Sequence, residues 1–91
     1  MILVDDAVWT GAPWAGGYSC HLISDTSVDE LLDFGEKLRL PEAWFQVSST
    51  PHWDLSPSWR TRAVSAGAQA VGRSEFAAAL KRFRETHETK V

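Results

Sequence analysis

The 91 residues suit one domain with one core, which buries roughly 60–65% of the unfolded chain's surface and so profits from large side chains. A hydrophobic fraction of 44% argues against disorder, and a net charge of −3 gives no global drive toward nucleic acid or anionic membrane. The one cysteine, Cys20, excludes an internal disulfide and a multi-cysteine zinc site.

In chain order, the apolar run from Met1 to Asp6 reads as a strand buried on both faces and ending in two carboxylates. Gly11, Pro13, Gly16 and Gly17 break any pattern between Ala7 and Tyr18 and mark a loop that carries Trp9 and Trp14. Ser19 to Ser24 is a second strand with His21 at its middle. Ser27 followed by Glu30 is a capping box that opens a helix from about Val28 to Arg39, with Val28, Leu31, Leu32, Gly35 and Leu38 on its apolar face. Pro41 ends it, and Gly35 on the buried face implies close approach to a strand.

Phe45 to Ser49 is a short third strand, followed by a loop with Pro51, His52 and Asp54. Ser56-Pro57 starts a second helix that points Trp59, Ala63 and Ala66 inward and stops at Gly67. Ala68 to Val71 is a fourth strand, and Ser74 caps a last helix with the stripe Phe76, Leu80 and Phe83. Residues from about 87 onward are expected to fray. The alternation predicts a single small α/β domain over 1–91, a two- or three-layer sandwich with a short, mostly parallel sheet of about four strands and three helices. An α+β arrangement with an antiparallel first strand is the alternative.

Ligands of open parallel sheets bind beyond the carboxyl ends of the strands. That edge would collect Asp5 and Asp6 from the first strand, Asp25 from the second, His52 and Asp54 from the third and Arg73 from the fourth. The stretch Trp44 to Leu55 sets Gln46, His52 and Asp54 beside Trp44, Phe45 and Trp53. Candidate binding residues are therefore His21, Asp25, Gln46, His52, Trp53, Asp54 and Arg73. Candidate catalytic and metal-ligating residues are Asp5, Asp6, His52 and Asp54. Each has a purely structural role to weigh against this: Asp5 or Asp6 as turn caps, Asp25 and Asp54 as helix caps, His21 as a hydrogen-bonded core histidine. His52 has no evident core purpose, and loops carry function more often than regular elements do.

Several chemistries fail on position. Gly16-Gly17 precedes a strand, so it is no phosphate loop. Cys20 and His21 are neighbours on a strand and point to opposite faces, and no nucleophile elbow surrounds Ser48 or Ser49. Arg60, Arg62 and Arg73 on an acidic chain make nucleic-acid recognition a minor prospect.

Val4-Asp5-Asp6, His21-Leu22, Ser24-Asp25, Glu30-Leu31, Trp44-Phe45-Gln46, His52-Trp53-Asp54 and Gly67-Ala68 occur in this order. Together they resemble the domain of unknown function numbered 4031, found in bacteria and some of their phages, over roughly residues 1 to 72. In that pattern Tyr commonly stands at Trp53 and His at Leu32, so the resemblance supplies no helical imidazole to this chain. It implies no established activity.

Two functions follow from the residues. The first is an accessory or regulatory module that binds a protein or small ligand through its aromatic loops and the His/Asp cleft, with Trp9, Trp14 or Trp53 exposed. The second is a metal-dependent phosphoester or nucleotide hydrolase using Asp5, Asp6, His52 and Asp54, with a divalent ion such as Mn²⁺ activating water. No cofactor is evident from a motif. A homodimer through exposed aromatics is a further expectation. With no secretion signal and no apolar run near ~18 residues, the protein is expected in a reducing cytoplasm, off the membrane.

Overall fold

The computed structural model describes residues 1–14, 16–47 and 50–87, with His87 described through its backbone alone. Ser48 and Ser49, the end of the expected third strand and the two serines weighed above, lie outside the described residues. So does the end of the chain from 88 on. The strands are β1 (Ile2–Val4), β2 (Val8–Trp9), β3 (Tyr18–Ser24), β4 (Phe45–Gln46), β5 (His52–Leu55) and β6 (Gln69–Ala70). The helices are α1 (Val28–Leu38), α2 (Pro57–Ser65) and α3 (Arg73–His87), with a 3₁₀ turn at Glu42–Trp44.

The sheet runs β4-β5-β3-β1-β6, with β2 also paired to β3. Among the described residues only β1 and β6 pair in parallel, and the other pairings are antiparallel. The α/β class therefore holds, but the expected four-stranded, mostly parallel sheet is corrected to a mixed, mostly antiparallel one of six strands. The cause lies in two connections. The described residues between Ala7 and Gly17 form no crossover helix, so β3 returns antiparallel beside β1. His52 to Leu55, expected as loop, is a strand whose alternation is only four residues long.

β1 and β2 are one strand interrupted by a bulge. Val4 lies opposite Leu22 and Val8 opposite Ser19, so four steps on one strand span three on the other. Asp5 occupies that bulge. Its backbone N–H donates to His21 O at 3.2 Å, and its Oδ1 accepts the His21 N–H at 2.6 Å. A carboxylate thus stands in for a missing rung of the ladder, and the bulge re-aims the side chain toward β3.

The core has two parts, one on each face of the sheet. Val4, Cys20, Leu22, Trp53 and Leu55 pack under α1 and α2 through Leu31, Ala63 and neighbours. Leu3 and Ile23 pack under α3 through Phe76 and Ala79. α3 covers only part of its face, and Phe76, 6.4 Å ring to ring from His21, marks the edge of that coverage.

Local signals place the helices. Ser27 Oγ accepts the Glu30 N–H at 3.1 Å, but the Glu30 carboxylate turns to Ser24 Oγ and the Met1 amine instead of returning to Ser27. α1 closes at Arg39, in left-handed geometry at φ 61°, before Pro41 is reached. Ser56 caps α2 with Pro57 in the first turn. α3 spans Arg73–His87, so Ser74 lies inside it rather than at its cap. Ala66, expected inward, is exposed.

Candidate metal centre

An antiparallel sheet with one face left open sets every second side chain toward solvent. His21 lies directly opposite Asp54 on β5, and Gln46 directly opposite His52. Trp53 and Leu55 fill the core between them, so His21, His52, Asp54 and Gln46 share the uncovered face. This four-residue cluster spans strands β3, β5 and β4, and no single stretch of chain contains it.

The two imidazoles are oriented by acceptors on their inner nitrogens. His21 Nδ1 lies 3.0 Å from Asp5 Oδ2, and His52 Nδ1 lies 2.9 Å from the Thr50 carbonyl. A carboxylate and a carbonyl only accept, so each Nδ1 carries the proton and donates it. In the neutral rings both Nε2 lone pairs are then free. His52 Nε2 is 3.4 Å and His21 Nε2 4.0 Å from the same Asp54 Oδ1. The rings meet edge to face with centroids 5.3 Å apart.

One ligand atom from each of His21, His52 and Asp54 falls within 4.8 Å of the others. Ligand atoms around a tetrahedral cation with bonds near 2.0–2.1 Å stand about 3.3 Å apart. The His52–Asp54 pair already has that spacing, whereas His21 Nε2, 4.0 Å from Asp54 Oδ1, must move in by about 0.7 Å toward that oxygen and by up to about 1.5 Å toward His52. Two imidazoles and a carboxylate suit a divalent transition metal, and the second-nitrogen hydrogen bonds are the outer-shell contacts that such ligands make. The Asp5 hydrogen bond raises the His21 pKa above its ordinary value, against burial, with the Asp5 and Asp54 charges adding to the rise.

Asp5 thus orients His21 and does not join the ligand atoms. Its carbonyl is held in turn by Arg60 Nε at 2.8 Å. Asp6, on the same bulge, points away: its side chain is 81% exposed and its nearest cation is Arg60 Nη2 at 3.5 Å. Asp25 sits at the other end of β3, 3.0 Å from the Met1 amine. Trp53 is buried on the opposite face, where its Nε1 donates to Leu31 O at 3.3 Å. Arg73 lines a separate cavity with Asp5, Asp6 and Phe76. Of the expected site residues, the fold gathers His21, Gln46, His52 and Asp54, with Asp5 behind them, and disperses Asp6, Asp25, Trp53 and Arg73. Leu32 lines a cavity with Trp53 on the opposite face of the sheet, away from this cluster.

The cluster floors a cleft of about 440 Å³. Thr10 and Ser19, whose hydroxyls are 2.8 Å apart, border it with Gln46. Trp14 and Trp44, 4.8 Å apart by ring centroid, form its wall, and Trp59 backs Trp44 at 6.0 Å. No lysine or arginine lines it among the described residues. Cys20 adjoins His21 in sequence but faces the core, where burial pushes its thiol up to about 12. The signal that would have found the site is the alternation His52-x-Asp54 read as a strand, paired with the strand through His21.

Fold and open face define a small α/β protein with a two-histidine, one-carboxylate group. The chain belongs to the family described as protein of unknown function DUF4031, whose model matches residues 2–83. No curated protein and no solved structure matches it. Among the described residues no helix is long and apolar enough to cross a membrane.

Proposed function

We propose that His21, His52 and Asp54 hold one divalent transition metal and that the protein is a metal-dependent hydrolase acting on a small molecule in the adjoining cleft. One observation carries this reading: both imidazoles spend Nδ1 on acceptors and turn Nε2 toward the same Asp54 oxygen. Three protein ligands leave coordination positions open, the pattern of catalytic rather than structural sites. A bound divalent ion would lower the pKa of a water toward ~7 and polarise a substrate oxygen. Asp5 keeps the His21 ring in the ligating tautomer, the Thr50 carbonyl does so for His52, and the tryptophan wall restricts water around the substrate.

Isothermal titration with Zn²⁺ and Mn²⁺ tests it. One site per chain is expected in wild type, lost in His52→Ala and Asp54→Ala and kept in Asp6→Asn. Absence of binding by wild type would remove the reading.

The binding-module reading retains one observation of its own. Trp9 is 68% exposed, paired across the strand to Tyr18 at 48%, although Trp53 is buried. Loss of a partner on Trp9→Ser, with metal affinity intact, would favour that surface as a second function.

A further inference from the structure

A second cavity, of about 330 Å³, lies on the α3 side of the same two histidines. It shares only His21 and His52 with the tryptophan-walled cleft, so the imidazole pair forms the saddle between two spaces. Their chemistry differs. The first offers Gln46, Thr10 and Ser19, whereas the second is walled chiefly by Ile23, Phe76 and Leu80. Neither has a lysine or arginine in its lining among the described residues, and both contain a carboxylate, Asp54 in one and Asp5 in the other.

We propose that the α3-side cavity seats the apolar arm of an uncharged acyl substrate, an ester or amide, whose carbonyl lies over the histidine pair and whose leaving group occupies the tryptophan-walled cleft. The proposal rests on the metal reading above and sharpens it. A phosphoester would bring one or two negative charges beside Asp5 and Asp54, where the bound ion alone would meet them, since neither lining has a cationic side chain among the described residues. An uncharged carbonyl carries no such penalty, and an alkyl or aryl group on it gains by burial against Ile23, Phe76 and Leu80. The alcohol or amine half finds hydrogen-bonding partners in Gln46, Thr10 and Ser19. In the reaction, hydroxide formed from water at the site adds to the carbonyl carbon and the C–O or C–N bond to the leaving group breaks. The proton released by that water balances the one taken up by the leaving group. The net change is substrate plus one water to a carboxylic acid plus an alcohol or amine.

The test uses alkyl hydroxamates, which present an acyl group to a metal without being hydrolysed on the time scale of binding. Zn²⁺ affinity is measured first, then acetohydroxamate, hexanohydroxamate and inorganic phosphate are titrated into the Zn²⁺-loaded protein. Each buried methylene is worth about fourfold in affinity, so hexanohydroxamate is expected to bind more than about tenfold tighter than acetohydroxamate, with phosphate weakest. Leu80→Lys, at the partly exposed rim of the cavity, is expected to erase that preference and leave Zn²⁺ affinity unchanged. Equal affinity for the two hydroxamates, or phosphate tighter than both, overturns the substrate class while the metal site stands. If Zn²⁺ itself fails to bind, the metal reading and this one fall together.

Discussion

Replacing Gly35 by alanine tests the packing that holds β5 in place. A Cβ added at Gly35 would sit 2.3 Å from Trp53 Cζ2, 2.5 Å from Cε2 and 2.8 Å from Nε1. Carbon atoms rest near 3.5–4.0 Å, so the indole must retreat by more than about 1 Å. It has little room to do so, being 3% exposed, with its ring 5.0 Å from Phe45 and its N–H on the Leu31 carbonyl. Overpacking costs about 1–3 kcal/mol, and a buried donor left without its acceptor about 1–3 kcal/mol more. Alanine's better helix propensity returns about 1 kcal/mol. The net is a loss of about 1–5 kcal/mol, and the midpoint of about 3 kcal/mol lowers Tm by roughly 12–24 °C for a domain of this size. Urea unfolding and calorimetry read it. In a Trp53→Leu background the same substitution is expected to be neutral or stabilising, so the double-mutant cycle isolates the contact. A Gly35→Ala protein as stable as wild type would refute the packing of α1 on β5.

Further outcomes follow from single contacts. In the metal-free protein, Asp5→Asn is expected to lower the His21 pKa toward the ordinary value, read by NMR titration of its ring protons; an unchanged value would show that Asp5 does not set it. Because His21 is raised in the folded state, its contribution to stability is complete below about pH 6.5 and is lost as pH rises through its folded pKa. Its partial exposure keeps that contribution small, and Asp5→Asn is expected to flatten it. Cys20 is fully buried with its thiol pushed up to about 12, so Ellman's reagent is expected to label it only at the rate of global unfolding. Rapid labelling in native buffer would mean that β3 opens locally. Ser27→Ala removes the acceptor for the Glu30 N–H and is expected to cost about 1 kcal/mol; a loss below about 0.3 kcal/mol in urea unfolding would show that the cap adds little.

Helices and turns were legible because their determinants are local. Ser27, Gly35 and Ser56-Pro57 each report a cap or a close approach within a few residues; Gly35 and Ser56-Pro57 act as the sequence implies, and Ser27 caps α1 without the return bond from Glu30. The sheet was less legible, since strand direction depends on which strands meet. Nothing near Ile2 to Val4 states that β3 will pair antiparallel to it while β6 pairs parallel. The site suffered the same limit. His52 and Asp54 were visible as polar residues beside tryptophans, but reading them as loop hid the alternation that sets them opposite His21. Asp5 and Asp6 look equivalent in sequence. The bulge turns one onto His21 and leaves the other in solvent with Arg60 nearby, a distinction that a one-residue register shift creates.

The central claim is that two Nε2 atoms and one Asp54 oxygen face a common ion. Long-range ¹H–¹⁵N correlation spectra of the imidazoles, recorded before and after one equivalent of Zn²⁺, address those atoms directly. The account predicts that the Nε2 resonances of His21 and His52 both shift on addition while both Nδ1 atoms keep their protons, and that Asp54→Asn weakens the response of both rings. Unshifted Nε2 resonances, or a shift confined to His87, would contradict it.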